Sequence, residues 1–126
     1  MSAIVLLSDD KKKSLLGRFC DAYKSVLAKY SLFSTYLLSY FISETLDGSI
    51  KVRPLLDDGV SGYQQVISKI YCNEIILVIF FKDISSNRAR PFFENELFRA
   101  CDLYNIPYAT NLAMAEIFLN TLLLGK

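Results

Sequence analysis

Seven consecutive apolar residues, Ile75-Ile76-Leu77-Val78-Ile79-Phe80-Phe81, constrain this chain more than any other stretch. β-Branched and aromatic side chains dominate the run, which favours a strand over a helix. A strand apolar on both faces must be covered on both faces, the environment of a central strand in a parallel sheet. The run is far too short to cross a bilayer, so it is read as the middle of a water-soluble core.

The rest of the chain arranges itself around that strand. Ala3 to Leu7 is a second continuous apolar run, ended by Ser8-Asp9-Asp10, and reads as another buried strand. From Lys11 to about Lys29, Leu15, Leu16, Phe19, Tyr23, Val26 and Leu27 recur at helical spacing. Strands are expected over Ser31–Thr35, Ser49–Leu56 and Ile106–Thr110, with Pro54 marking the second of these as an edge. Helices are expected over Leu37–Leu46, Gly62–Cys72 and Pro91–Tyr104, with a last helix capped by Asn111. Alternation of strand and helix with short connections predicts an α/β fold: a three-layer α/β/α sandwich on a mainly parallel five-stranded sheet, one domain over residues 1–126.

Composition narrows the function classes. A formal net charge of +1 leaves no electrostatic footprint for nucleic acid. The basic run Lys11-Lys12-Lys13 is short and reads as a solvated first helical turn. Cysteines at 20, 72 and 101 lack metal-ligand spacing and sit in apolar helical patterns, as buried free thiols in a reducing cytosol would. The N-terminus shows no signal peptide, and a cytoplasmic protein with no membrane partner is expected. Hydrophobic residues make up 52% of the chain, rich enough to suggest burial between subunits, and a homo-oligomer, a dimer or larger, is expected.

In parallel α/β sheets ligands bind beyond the carboxyl ends of the strands. Here that edge carries Ser8, Asp9, Thr35, Asp57, Asp58, Lys82, Asp83, Thr110 and Asn111. The stretch "DDGVSGYQQV" adds glycines at 59 and 62 just before a helix start, a common way to build an anion site, yet it opens on two carboxylates. Asp9, Asp10, Asp57 and Asp83 could gather around a hard cation, but they read first as caps and loop carboxylates, and neither a metal nor any other cofactor is expected.

The stretches "GYQQVISKI", "ILVIFFKD" and "LYNIPYATNLAMAEIFL" resemble the methylglyoxal synthase family, whose fold also serves as the allosteric domain of carbamoyl phosphate synthetase. The resemblance runs from Ala3 to about Leu119 and implies a five-stranded parallel sheet and often a homohexamer. It implies conversion of dihydroxyacetone phosphate to methylglyoxal and phosphate, with an aspartate removing a proton and hydroxyl and backbone donors holding the phosphate. Several positions depart from the family pattern. Tyr63 stands where the family's Gly-Asp-Gln-Gln loop has its basic aspartate, and Ser8 replaces a histidine. Thr35 alone survives of a Thr-Gly-Thr-Thr-Gly cradle, and Asp57-Asp58 replaces a Ser-Gly pair. No histidine occurs anywhere, and the chain stops at Lys126, short of the family's closing strand and helix.

From these departures the sequence reading expects a non-catalytic, pseudoenzyme-like member of the family: a binding, regulatory or assembly module for a small anionic ligand or a protein partner. Its ligand candidates are Ser8, Asp9, Lys12, Thr35, Asp57, Asp58, Gly62, Tyr63, Thr110 and Asn111. The alternative is a divergent synthase in which Asp83, or one of Asp57 and Asp58, is the base. A third reading is a receiver-like phosphoacceptor, with Asp9-Asp10 and Asp57 forming a magnesium pocket.

Overall fold

The structure, a computed structural model, describes residues 2–55, 60–85 and 91–125, with side chains except at 60, 91–93 and 125. Strand β4, Ile75–Phe81, coincides with the seven-residue apolar run. Strand β1, Ala3–Ser8, lies beside it in parallel, with Ile4 opposite Leu77 and Ser8 opposite Phe81. The register skips Ile76 between Ala3 and Ile4, a bulge that places Ile76 and Leu77 on the same face. On the other side of β1 runs β2, Ser31–Ser34, then β3, Arg53–Pro54; beyond β4 comes β5, Tyr108–Ala109. All pairings are parallel, in the order β3-β2-β1-β4-β5.

Two apolar layers cover the sheet. Ile4, Leu6, Leu77, Ile79 and Phe81 point to one face, where they meet Leu16 and Phe19 of α1 (Lys13–Ala22), Leu27 of α2 (Lys24–Leu27), Ile42 of α3 (Tyr36–Thr45), and Ala115 and Leu119 of α6 (Leu112–Gly125). Val5, Leu7, Val78 and Phe80 point to the other, against Val66 and Ile70 of α4 (Val60–Tyr71) and Leu97, Ala100 and Cys101 of α5 (Pro91–Leu103). The α/β/α sandwich is therefore as expected. Each fully buried aliphatic side chain of the central strands contributes about 1.5–3 kcal/mol by leaving water.

The differences from the sequence expectation have physical causes. The helix expected over Lys11–Lys29 is a 3-10 turn at Asp10–Lys12 followed by two helices broken at Tyr23, whose backbone leaves the helical region (φ −113°, ψ 21°). Apolar spacing reports which face is buried, and that face continues through Phe19, Val26 and Leu27 although the axis does not. The strand expected over Ser49–Leu56 is paired only at Arg53–Pro54. Ile50, Val52 and Leu55 are buried all the same, so burial without pairing imitated a strand. Similarly β5 is shorter than Ile106–Thr110.

Cys20 and Cys101 are buried, and burial pushes both thiols up to about 12, with the Asp102 charge adding to the effect at Cys101. Cys72, expected to be buried, is exposed at the end of α4. The observed strand order also removes the receiver-like reading. That architecture seats the third strand against the first, in the order 2-1-3-4-5, whereas here β2 separates β3 from β1. Among the described residues no helix is long and apolar enough to cross a membrane.

Candidate active site

The carboxyl ends of β1 and β4 bring two aspartates together. Asp9 leaves β1 with its N–H donating to the carbonyl of Phe81, the last residue of β4, at 3.0 Å. In return the backbone N–H of Asp83 donates to Asp9 Oδ2 at 2.6 Å. Adjacent parallel strands thus end in a reciprocal clasp, which fixes where both loops start.

Asp83 is buried despite its charge. Its Oδ1 accepts from the Ser85 hydroxyl at 2.6 Å and from the Ser85 N–H at 3.2 Å. Its Oδ2 is buried with no hydrogen-bond partner among the described residues. The hydroxyl of Ser85 holds the Asp83 carboxyl below the ordinary carboxylate range. Burial opposes this, while the Ser85 N–H and the charges of Lys11 and Lys12 assist it. Asp83 is therefore ionised at neutral pH, with one oxygen committed and one not. An acceptor left without a partner in the fold is the kind of feature that functional sites retain. The Ser8 hydroxyl, one residue before Asp9, is likewise buried without a partner among the described residues.

Lys12 closes the 3-10 turn over this pair, its N–H donating to the carbonyl of Asp9 at 2.9 Å, and its side chain is half-buried. On the β2 side, Thr35 is the N-cap of α3; its hydroxyl oxygen accepts from the Leu38 N–H at 3.4 Å. Thr35 also lines a small, shallow recess with Leu7, Leu55, Gly62, Tyr63 and Val66. The Tyr63 ring stacks on Phe80 with centroids 6.4 Å apart and planes 25° apart, so it forms a wall of the recess. Leu7, near the carboxyl end of β1, belongs to the recess, while Asp9 and Asp83 do not line it. On the opposite flank, Lys82 N–H donates to the Thr110 carbonyl at 3.4 Å, and Asn111 Oδ1 accepts from Met114 N–H at 3.0 Å. Asn111 is thereby occupied as the cap of α6.

The structure thus gathers Ser8, Asp9, Lys12 and Asp83 at the centre of the edge, with Thr35, Gly62 and Tyr63 on one flank and Thr110 and Asn111 on the other. Asp57 and Asp58 lie outside the described residues. Among the described residues no group of three or more acidic, cysteine or histidine side chains is placed to hold a metal ion. Sequence reasoning missed Ser85. Its signal was the Asp83-Ile84-Ser85 spacing directly after a buried strand, since an aspartate at a strand end commonly accepts from the backbone two residues on.

No family model matches the chain. Single proteins do. The methylglyoxal synthase of Caldicellulosiruptor saccharolyticus is 38% identical over 119 residues, covering 94% of this chain and 83% of that one. The methylglyoxal synthase of Clostridioides difficile is 37% identical over 123 residues, covering 98% and 88%. The crystal structure of methylglyoxal synthase from Elizabethkingia anophelis superposes with a TM-score of 0.79 at 28% identity, covering 94% of this chain and 76% of that one. These findings overturn the expectation of a non-catalytic binding, regulatory or assembly module, and with it the pseudoenzyme reading. The likeness to chains named for an enzyme covers 94–98% of this chain, not a fragment of it. The physical error was to equate the missing histidines and the Tyr63 substitution with loss of chemistry, when an ionised carboxylate with an uncommitted oxygen stands at Asp83.

Proposed function

The chain belongs to the methylglyoxal synthase family, and we propose that it is a working synthase that converts dihydroxyacetone phosphate to methylglyoxal and inorganic phosphate. The observation that carries this reading is the Asp83 carboxylate: ionised, buried, and with Oδ2 lacking a hydrogen-bond partner among the described residues at the carboxyl edge of the sheet. Oδ2 takes a proton from the hydroxyl-bearing carbon beside the substrate carbonyl. The resulting enediolate expels phosphate from the carbon on the other side of the carbonyl, and the enol left behind tautomerises to methylglyoxal.

Asp9 is the weaker candidate for the base because its Oδ2 already accepts from Asp83 N–H. A carboxylate of depressed pKa is a modest base. Burial of the carboxyl acts in the opposite direction and strengthens it. The Lys12 ammonium, the Thr35 hydroxyl and the helix N-terminus that includes Gly62 are suited to grip the phosphate dianion. The recess walled by Leu7 and Tyr63 is suited to exclude water from the enediolate.

The test is a coupled measurement of phosphate release and methylglyoxal formation from dihydroxyacetone phosphate. Equimolar appearance of both products is expected from the wild type. Asp83→Asn is expected to abolish nearly all of it, while Asp57→Asn and Asp58→Asn retain it. No phosphate release from the wild type would overturn the function. Release that survives Asp83→Asn but not Asp57→Asn or Asp58→Asn would overturn the assignment of the base alone.

A further inference from the structure

We propose that Ser85 is the positioning residue for proton transfer: it holds Oδ1 of Asp83 through both its hydroxyl and its backbone N–H, so that Oδ2 alone is left to take the substrate proton. This inference rests on the function proposed above and names a residue that the sequence reading did not select.

The geometry is that of a side chain fixed at two ends. Asp9 Oδ2 pins the Asp83 backbone through its N–H at 2.6 Å. Ser85 pins the carboxyl through Oδ1 at 2.6 and 3.2 Å. The terminal torsion of an aspartate is broad and nearly two-fold, so without the second tether the two oxygens would exchange places freely. Proton transfer needs the accepting atom within hydrogen-bond reach of the carbon-bound proton, and a displacement of about 1 Å can cost ~100-fold in rate. Ser85 removes that freedom.

Among the described residues, no other group around Asp83 duplicates this role. Asp9 bonds the Asp83 backbone, not its carboxyl. Lys11 and Lys12 act on Asp83 through charge, and lower its pKa less than the Ser85 hydroxyl and the Ser85 N–H do. Lys82, next in sequence, is directed elsewhere: its ammonium lies 3.7 Å from Glu94 Oε1 and over the Phe98 ring at 5.3 Å. The hydroxyl of Ser85 is therefore the group whose loss changes both the aim and the proton affinity of Asp83. Removing it raises the Asp83 pKa, so the carboxylate form that accepts the proton is lost at a higher pH than before.

The experiment compares wild type, Ser85→Ala and Ser85→Thr in kcat, KM and the pH profile of kcat/KM with dihydroxyacetone phosphate, with melting temperature measured alongside. Ser85→Ala is expected to lower kcat by roughly tenfold or more, to leave KM within about threefold, and to move the acid limb to higher pH. Ser85→Thr keeps a hydroxyl at the same atom and is expected to restore the limb and most of kcat. An active wild type whose Ser85→Ala variant keeps both kcat and the acid limb overturns the inference and leaves the function standing. So does a loss in Ser85→Ala that follows a drop in melting temperature with the acid limb unmoved. A wild type that releases no phosphate overturns the function and takes this inference with it.

Discussion

The centre of the sheet's carboxyl edge and its β2–β3 flank are built to different tolerances. At the centre, β1 and β4 pair along six residues of β1, nearly every side chain is buried, and the loops leave through the reciprocal bonds of Asp9 and Asp83. On the flank, β2 has four residues and β3 two, the Thr35 capping bond is a long 3.4 Å, and Tyr36, Leu37 and Tyr40 of α3 stand largely exposed. The contrast matches what each half is asked to do. A proton acceptor must be placed to a fraction of an ångström, whereas an anion is held by charge and several donors that tolerate adjustment. On the proposed function, the proton acceptor sits where the strands pair most extensively, and the anion-binding groups sit where they pair least.

The sharpest way to break that contrast is Asp83→Asn. Removing a positioned general base is expected to lower kcat by about 10²–10⁴-fold with little change in KM, read by initial rates of phosphate release. A KM effect larger than the kcat effect would place Asp83 among the binding groups instead. The same residue carries a pH signature. Its pKa is depressed in the fold, chiefly by the Ser85 hydroxyl, so its stabilising contribution is complete above the ordinary aspartate pKa and is lost as pH falls through the depressed value. Acid unfolding monitored by circular dichroism should therefore begin at higher pH in Ser85→Ala than in wild type.

Next in size is the packing beneath the carboxylates. Ile79→Ala on β4, at a fully buried position, is expected to cost about 2–5 kcal/mol of unfolding free energy, whereas Arg53→Ala on the exposed edge should cost at most about 1 kcal/mol, its attraction to the Phe33 ring at 5.9 Å being weak. Equal destabilisation in urea titrations would mean that the two halves are equally rigid. Thr35→Ala is a smaller probe. Loss of a cap typically costs about 1 kcal/mol, and the long bond here puts it at the low end. If the hydroxyl also grips phosphate, KM should rise by about tenfold while kcat holds.

The same division governed what could be read from the sequence. β4 and β1 were legible to within a residue, because a run that must be buried on both faces has few alternatives. β3 was not, because Ile50, Val52 and Leu55 are buried by packing while only Arg53 and Pro54 pair. In the site, Asp83 and Asp9 followed from their places at strand ends. Ser85 did not, because its role depends on a side-chain bond that spacing alone only suggests. The larger misreading was functional. Substitutions at Ser8 and Tyr63 read as losses in the sequence, which does not show Asp83 fixed through one oxygen with the other lacking a partner among the described residues.

Tyr63 offers the mildest test, and it bears directly on that misreading. Its ring stacks on Phe80 and walls the recess beside Leu7. A phenol, ordinarily titrating near pH 10, is a poor base at neutral pH. If the ring is what matters, Tyr63→Phe keeps the stacking and the apolar wall, and kcat/KM should stay within about threefold of wild type, under ~0.7 kcal/mol of transition-state stabilisation. If instead the phenol has taken over the proton transfer of the aspartate it replaces, the same substitution should cost at least about 100-fold and remove a limb from the pH profile. That outcome would move the chemistry from the stiff centre to the flank, and the division of labour between the two halves would be the reverse of the one argued here.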